Sequence, residues 1–290
     1  MNLGRDLRTV LVMLACFVPV ALVMAVVIRD ARVRRFRHQV PFKELRRRPA
    51  GEAVRLKLAS LDETIFERMG LLVGVPVLVA TQAYFLNLTW TALVADVVVS
   101  AMLTFVIGWR FQKLLRERAN YRLGYDGERF VGEELNSLIA DGFEIFHDVP
   151  FNSYNIDHVL LGPPGVFAVE TKTRRKPVQE KIGKEYHVEY EGACLRWPWG
   201  TDDKDLQQAA NNSESLSRWL TNAVGDPVPV TPILTLPGWW VDRKARPNPV
   251  HVLNPKEIRS FCGSRPLSLS SEMIRRVRHQ LEEKCKLEFE

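Results

Sequence analysis

Cysteine is scarce here and never paired. Cys16, Cys194, Cys262 and Cys285 are the only four in 290 residues, they lie far apart, and no Cys-x-x-Cys occurs. That spacing excludes a zinc ribbon or a disulfide framework and points to reduced, structural thiols in a cytoplasmic domain. Internal repeats and low-complexity tracts are also missing, so a solenoid or a disordered array is not expected. Extreme composition is absent as well: 46% of residues are hydrophobic and the net charge is +6. Both are unevenly spread, however. The apolar excess is concentrated before Trp109, and much of the basic excess follows Ile28 and reaches Arg48.

Long hydrophobic runs are present, all in the first third. Thr9–Ile28, TVLVMLACFVPVALVMAVVI, carries no charge and has the roughly 20 residues a transmembrane helix needs. It exceeds a signal-peptide core of about 7–15 residues, so an uncleaved anchor over 1–29 is expected. A second apolar region, 71–109, is too long for one span and suits a hairpin: Leu71–Leu86, a turn at Asn87–Thr89, then Trp90–Gly108. Pro76 and Gln82 interrupt its first arm, and Asp96 in the second is costly in lipid unless it faces protein or water. The Arg-rich stretch 30–70 and the basic linker 110–120 flank the hairpin. By the positive-inside rule both are cytoplasmic, which gives three spans, an N-terminus outside and a soluble domain, 121–290, inside. The basic loop would also contact anionic lipid of the bilayer.

In the soluble part, Phe143–Phe151, Asn155–Leu161 and Gly165–Lys172 read as short strands bounded by Gly, Pro and Asn. Gly162-Pro163-Pro164-Gly165 is a turn, so the second and third should form an antiparallel hairpin. Pairing Leu161 with Val166 sets Leu160 against Phe167, Val159 against Ala168, His158 against Val169 and Asp157 against Glu170. Two carboxylates then face each other about 4.5–5.5 Å apart at Cβ, with Lys172 on their face. A divalent cation between them, Mg²⁺ or Mn²⁺, would relieve the repulsion and accept phosphate oxygens. The competing explanation is a solvated face on which Lys172 pairs with one acid. His158 falls on the opposite face and is read as structural, as is His147.

Gly127–Ala140 reads as a helix whose apolar stripe is Val131, Leu135, Leu138 and Ile139. Its inward acid is Glu128, since Glu133 points away and Glu134 lies at the edge. Glu128 is a metal ligand, direct or through water, or a first-turn acid that complements the helix dipole.

LGYDGERFVGEELNSL, FHDVPFNSYNIDHVLLGPPGVFAVETKT and DLQQAANNSESLSRWL, in that order, resemble the nuclease-related domain family, NERD, which looks like a branch of the PD-(D/E)xK nuclease superfamily. The resemblance runs from about Arg122 to the region of Cys262. It implies an α/β fold: a restriction-endonuclease-like mixed sheet flanked by helices, here preceded by transmembrane helices. It also implies a metal set of Asp157, Glu170, Glu128 and Thr171, with Lys172 completing the E-x-K pair. Gln208 matches the family's later glutamine, although Lys204-Asp205 replaces the usual Asn-Pro ahead of it. The implied function is a membrane-anchored, divalent-metal-dependent nuclease acting on nucleic acid, DNA ahead of RNA. The alternatives are an inactive nucleic-acid-binding or scaffolding module, and a membrane function centred on Asp96. Val228–Val241 and Asn248–Asn254 read as further strands, Trp239 and Trp240 as packing residues or base-stacking candidates, and Ser270 or Ser271 as the cap of a terminal helix. Oligomeric state is not legible.

Overall fold

The computed structural model describes residues 47–85, 89–151, 153–176, 186–247 and 249–286. The span expected over Thr9–Ile28 lies outside them. Among the described residues the chain divides into two compact units, one of 68–109 and the other of 47–67 with 110–286.

Parts of two long helices, α1 (Glu52–Phe85) and α2 (Trp90–Leu135), supply the first unit, residues 68–85 of the one and 90–109 of the other. Thr89 Oγ1 accepts the Ala92 N–H at 3.4 Å as a cap on α2, and the rest of the turn expected at Asn87–Thr89 lies outside the described residues. A methyl on Gly108 would meet Leu72 Cδ2 at 4.0 Å, so the two helices run side by side there. One helix among the described residues is long and apolar enough to cross a membrane, beginning at Trp90 with a mean hydropathy of 2.1 in its most apolar window. The arm expected as a second span does not meet that test. Its apolar part is brief, Pro76 lies inside it, and the first half of α1 is charged. Glu52–Gly70, within the expected cytoplasmic loop, is helical.

The second unit is built on a mixed sheet. Its strands are β1 (Glu144–Pro150), β2 (Asn155–Gly162), β3 (Gly165–Thr171), β7 (Val230–Thr235) and β9 (His251–Leu253), side by side in that order. The pairs β1–β2 and β2–β3 are antiparallel; β3–β7 and β7–β9 are parallel. The β2–β3 turn is set by its residues. Gly165 has φ +142°, and a Cβ on Gly162 would strike the Phe143 ring at 2.5 Å. Ser268 and Leu269 donate backbone N–H groups to the Pro163 carbonyl, pinning the turn.

On one face Val159, Leu161, Val166 and Ala168 pack against α3 (Lys204–Val224) and α5 (Ser271–Lys284) through Leu216, Leu220, Val277 and Leu281. On the other, Leu160, Phe167 and Val169 meet Val131 and Leu135 of α2, and Ile258 and Cys262 of α4 (Ile258–Gly263). Ser270 caps α5, its hydroxyl accepting the Met273 N–H at 3.2 Å.

A second sheet, absent from the sequence reading, has the order β6 (Gly200–Asp202), β5 (Leu195–Trp197), β4 (His187–Tyr190), β8 (Trp240–Arg243). Its strands have three or four residues, too few for alternation to register. Val228–Val241 accordingly contains two strands in different sheets.

The second unit takes in residues before α1, because Asp148 recruits them. This residue holds φ 49°, a conformation Asp tolerates better than most, and is 3% exposed. Its carboxylate accepts from Arg48 Nε at 2.8 Å, the Ala53 N–H at 3.1 Å and Asn155 Nδ2 at 2.8 Å. The expected helix over 127–140 is the last turns of α2 followed by a 3-10 turn, Asn136–Asp141.

Candidate active site

Four register pairs stand as expected: Leu161 with Val166, Leu160 with Phe167, Val159 with Ala168, and His158 with Val169. Asp157 and Glu170 do not continue the ladder. Instead the Asp157 side chain takes over, its Oδ2 accepting the Thr171 N–H at 2.7 Å. The strand ends at Thr171, and Lys172 follows with its N–H donated to the Thr235 carbonyl at 3.0 Å.

Glu170 is 3% exposed. Lys172 Nζ lies 2.8 Å from its Oε1, and Asn212 Nδ2 donates to its Oε2 at 2.8 Å. Asn212 belongs to the buried face of α3, one helical step from Ala209 and from Leu216. Gln208 is exposed, so the side chain that reaches Glu170 from this helix is Asn212. A helical stripe drawn through Ala209 and Leu216 passes through Asn212, which is the signal for it in the sequence.

Glu128 is delivered by α2. A Cβ on Gly127 would lie 1.8 Å from Thr173 Oγ1, so the missing side chain lets the helix meet the end of β3. Alanine there favours helix by about 1 kcal/mol, yet overpacking costs typically 1–3 kcal/mol. Gly127→Ala should therefore lower the thermal midpoint of the chain, and differential scanning fluorimetry showing an unchanged or raised midpoint would refute the contact.

The electrostatics follow from burying acids together. Burial raises Asp157 well above its ordinary range, and the Glu170 and Glu128 charges push the same way against the Thr171 N–H and Lys172. Burial likewise raises Glu170, opposed by Lys172 and Asn212. Glu128 is pushed up to about 7 by burial, then by Asp148 and Glu170. Burial alone would lower Lys172, but Glu170 overrides it and its pKa is raised, so the side chain stays an ammonium. One cation thus faces three acids, a deficit of positive charge.

Among the described residues no three His, Cys, Asp or Glu side chains are gathered to enclose a metal by themselves. Mg²⁺ asks for less, often one or two carboxylates completed by water and phosphate. The hard oxygen donors of Asp157 and Glu170, short of counter-charge, fit that mode. Thr171 adds a buried Oγ1 with no hydrogen-bond partner among the described residues.

The histidines stay outside this chemistry. His147 Nδ1 and His158 Nδ1 are 2.8 Å apart, and burial holds His147 down to about 4 and His158 well below its usual value. They form a neutral internal pair.

One further residue escaped the sequence reading. Arg174 Nη2 sits 2.6 Å from Asp205 Oδ2 and neutralises a buried acid beside the site. Trp239 is 1% exposed and donates Nε1–H to the Arg174 carbonyl at 3.3 Å, which makes it a packing residue.

No curated protein and no solved structure matches the chain. The family model described as nuclease-related domain does match, over residues 123–237, starting where the resemblance starts and ending short of Cys262. That interval contains Glu128, Asp157, Glu170, Thr171, Lys172 and Asn212, so the residues of the candidate site fall within the stretch, 123–237, that matches the nuclease-related domain, NERD.

Proposed function

We propose that the chain is a membrane-anchored nuclease of the PD-(D/E)xK kind that hydrolyses phosphodiester bonds of nucleic acid, DNA ahead of RNA, with Mg²⁺ or Mn²⁺ bound. The observation that carries it is the Glu170–Lys172 contact at 2.8 Å beside an Asp157 locked onto the Thr171 N–H. Asp157 and Glu170 would hold the metal, with Glu128 direct or through water and Thr171 beside them. The ion would polarise a phosphoryl oxygen and acidify a bound water. Lys172, kept charged, orients the attacking water and offsets negative charge growing on the phosphate. Asn212 holds the Glu170 carboxylate in place. The direct test is divalent-dependent cleavage of labelled single- and double-stranded DNA and RNA by wild type and Lys172→Ala.

A second reading, a nucleic-acid-binding or scaffolding module without catalysis, is favoured by the absence of a three-ligand metal cluster among the described residues. Binding with Mg²⁺ but no cleavage, unchanged in Lys172→Ala, would select it.

For the anchor, the supporting observation is a run of exposed apolar side chains on α2, ending in Trp90 (81% exposed) and Trp109 (69%). Their 19-residue separation in sequence is roughly 29 Å of helix at 1.5 Å per residue. That matches a hydrocarbon core of about 30 Å, and Trp favours both interfaces. The Thr9–Ile28 span, the arm after Leu71 and a cytoplasmic nuclease-related domain complete the proposed topology. The chain should remain in the membrane pellet after alkaline carbonate washing. Release into the supernatant would remove the anchor.

A further inference from the structure

β3 ends at the Glu170–Lys172 pair, and the chain leaves it as Thr173-Arg174-Arg175-Lys176. This exit runs past a cluster of tryptophans. Trp239 donates to the Arg174 carbonyl, and the Arg174 guanidinium lies 5.9 Å from the Trp197 ring centre. Trp197 and Trp239 are 4% and 1% exposed and meet edge to face at 5.0 Å. Trp199, on the β5–β6 turn, stacks on Trp197 with centroids 5.3 Å apart and planes 11° from parallel, and its edge contact with Trp239 is at 5.5 Å. Yet Trp199 stays 56% exposed. Two buried tryptophans hold one exposed ring in a fixed orientation.

Such a ring need not be ordered on binding. A flat aromatic surface that is already immobilised captures another flat ring without losing rotamer freedom. The surroundings say which ring. Arg175 and Lys176 are exposed; Arg175 is tethered to the Ala119 carbonyl at 3.1 Å, and the Lys176 ammonium lies 4.2 Å from the centre of the half-exposed Tyr186 ring. The nearby acids Asp205 and Asp202 are answered by Arg174 at 2.6 and 3.6 Å. A free aromatic face and exposed cations together suit a nucleobase attached to phosphate. An apolar peptide or a lipid tail would leave the cations unused.

Resting on the nuclease reading above, we infer that Trp199 is a stacking platform for an unpaired base near the scissile phosphate, so that the substrate is a strand with single-stranded character. Arg174 is two residues beyond Lys172, roughly 7 Å of extended chain, and Trp199 follows by way of the Trp197 ring, 5.9 Å from the Arg174 guanidinium and 5.3 Å from Trp199, which puts the platform within a few nucleotides of the E-x-K pair. A paired base has both faces covered by its neighbours and cannot use it.

The test is fluorescence anisotropy with the full-length chain in detergent micelles, in EDTA so that nothing is cut. Labelled 20-mers of single-stranded DNA and RNA are compared with a blunt duplex of the same sequence. Trp199→Ala should weaken single-strand binding by about 5- to 150-fold, while Trp199→Phe keeps it within about threefold. Duplex binding should stay within about twofold in both variants, which also shows that the fold is intact. The inference is overturned if Trp199→Ala leaves single-strand affinity within twofold, or weakens duplex equally. Addition of Mg²⁺ separates the two readings. Trp199-dependent binding in a chain that never cuts would retain the platform and remove the nuclease. Cleavage indifferent to Trp199 would remove the platform alone. A chain that binds neither strand would remove both.

Discussion

Raising the pH from 5 to 8 without divalent cation should destabilise the nuclease-related domain, and Glu128→Gln should remove its own share of that loss. Glu128 is pushed from its ordinary 4.5 up to about 7 by burial, Asp148 and Glu170. An acid raised in the folded state holds a proton that the unfolded chain has released. Its contribution is intact below about pH 4.5 and is lost as pH climbs through 7. At 1.36 kcal/mol per unit, Glu128 alone accounts for about 3 kcal/mol, or a midpoint shift of about 6–12 °C. Asp157 and Glu170 are raised too and add in the same direction. Glu128→Gln should therefore melt higher than wild type at pH 8 and the same at pH 5, and Mg²⁺ should restore wild type at pH 8. A flat wild-type profile, or a glutamine variant less stable at pH 8, would show that the acids are not crowded as described.

Lys172→Ala and Asp157→Ala should each reduce cleavage by at least about 10²–10³-fold, the cost of losing one preorganised charge at a reacting centre. For Lys172 the reason is the contact with Glu170 at 2.8 Å, which holds the ammonium where phosphate charge would grow. Removing it also leaves the 3% exposed Glu170 without its counter-ion, so binding of metal should be followed separately by calorimetry. Asn212→Ala should cost about tenfold, since one net hydrogen bond to a charged group contributes about 1.5–3 kcal/mol and water can replace part of it. Gln208→Ala should stay within about twofold, because that side chain is exposed and solvated. Equal losses in Gln208 and Asn212 variants would reverse the assignment on α3, and wild-type cleavage in Lys172→Ala would end the catalytic reading.

Much of the hairpin was legible beforehand. Its register follows from Gly162-Pro163-Pro164-Gly165 and from side chains alternating with a period of two, and four of the expected pairs are present. The ladder's early end at His158 was not legible, because whether Asp157 offers its backbone or its carboxylate to Thr171 depends on what else surrounds the strand. Glu128 was legible as the inward acid of its helix, whereas Gly127 against Thr173 was not, since that closeness exists only once α2 and β3 meet. The short strands β4, β5 and β6 carry too little alternation to be seen.

What the sequence determined by itself is whatever near neighbours along the chain impose: the apolar run after Trp90, the turn, the strand faces, and which acid of the Gly127 helix faces inward. Tertiary structure alone decided that Asn212 rather than Gln208 reaches Glu170, that Asp148 recruits Arg48, and that Trp197, Trp199 and Trp239 converge beside Arg174. The reason is range. Periodicity and turn geometry act over a few residues, while desolvation and charge act through space on groups the chain brings together from far apart.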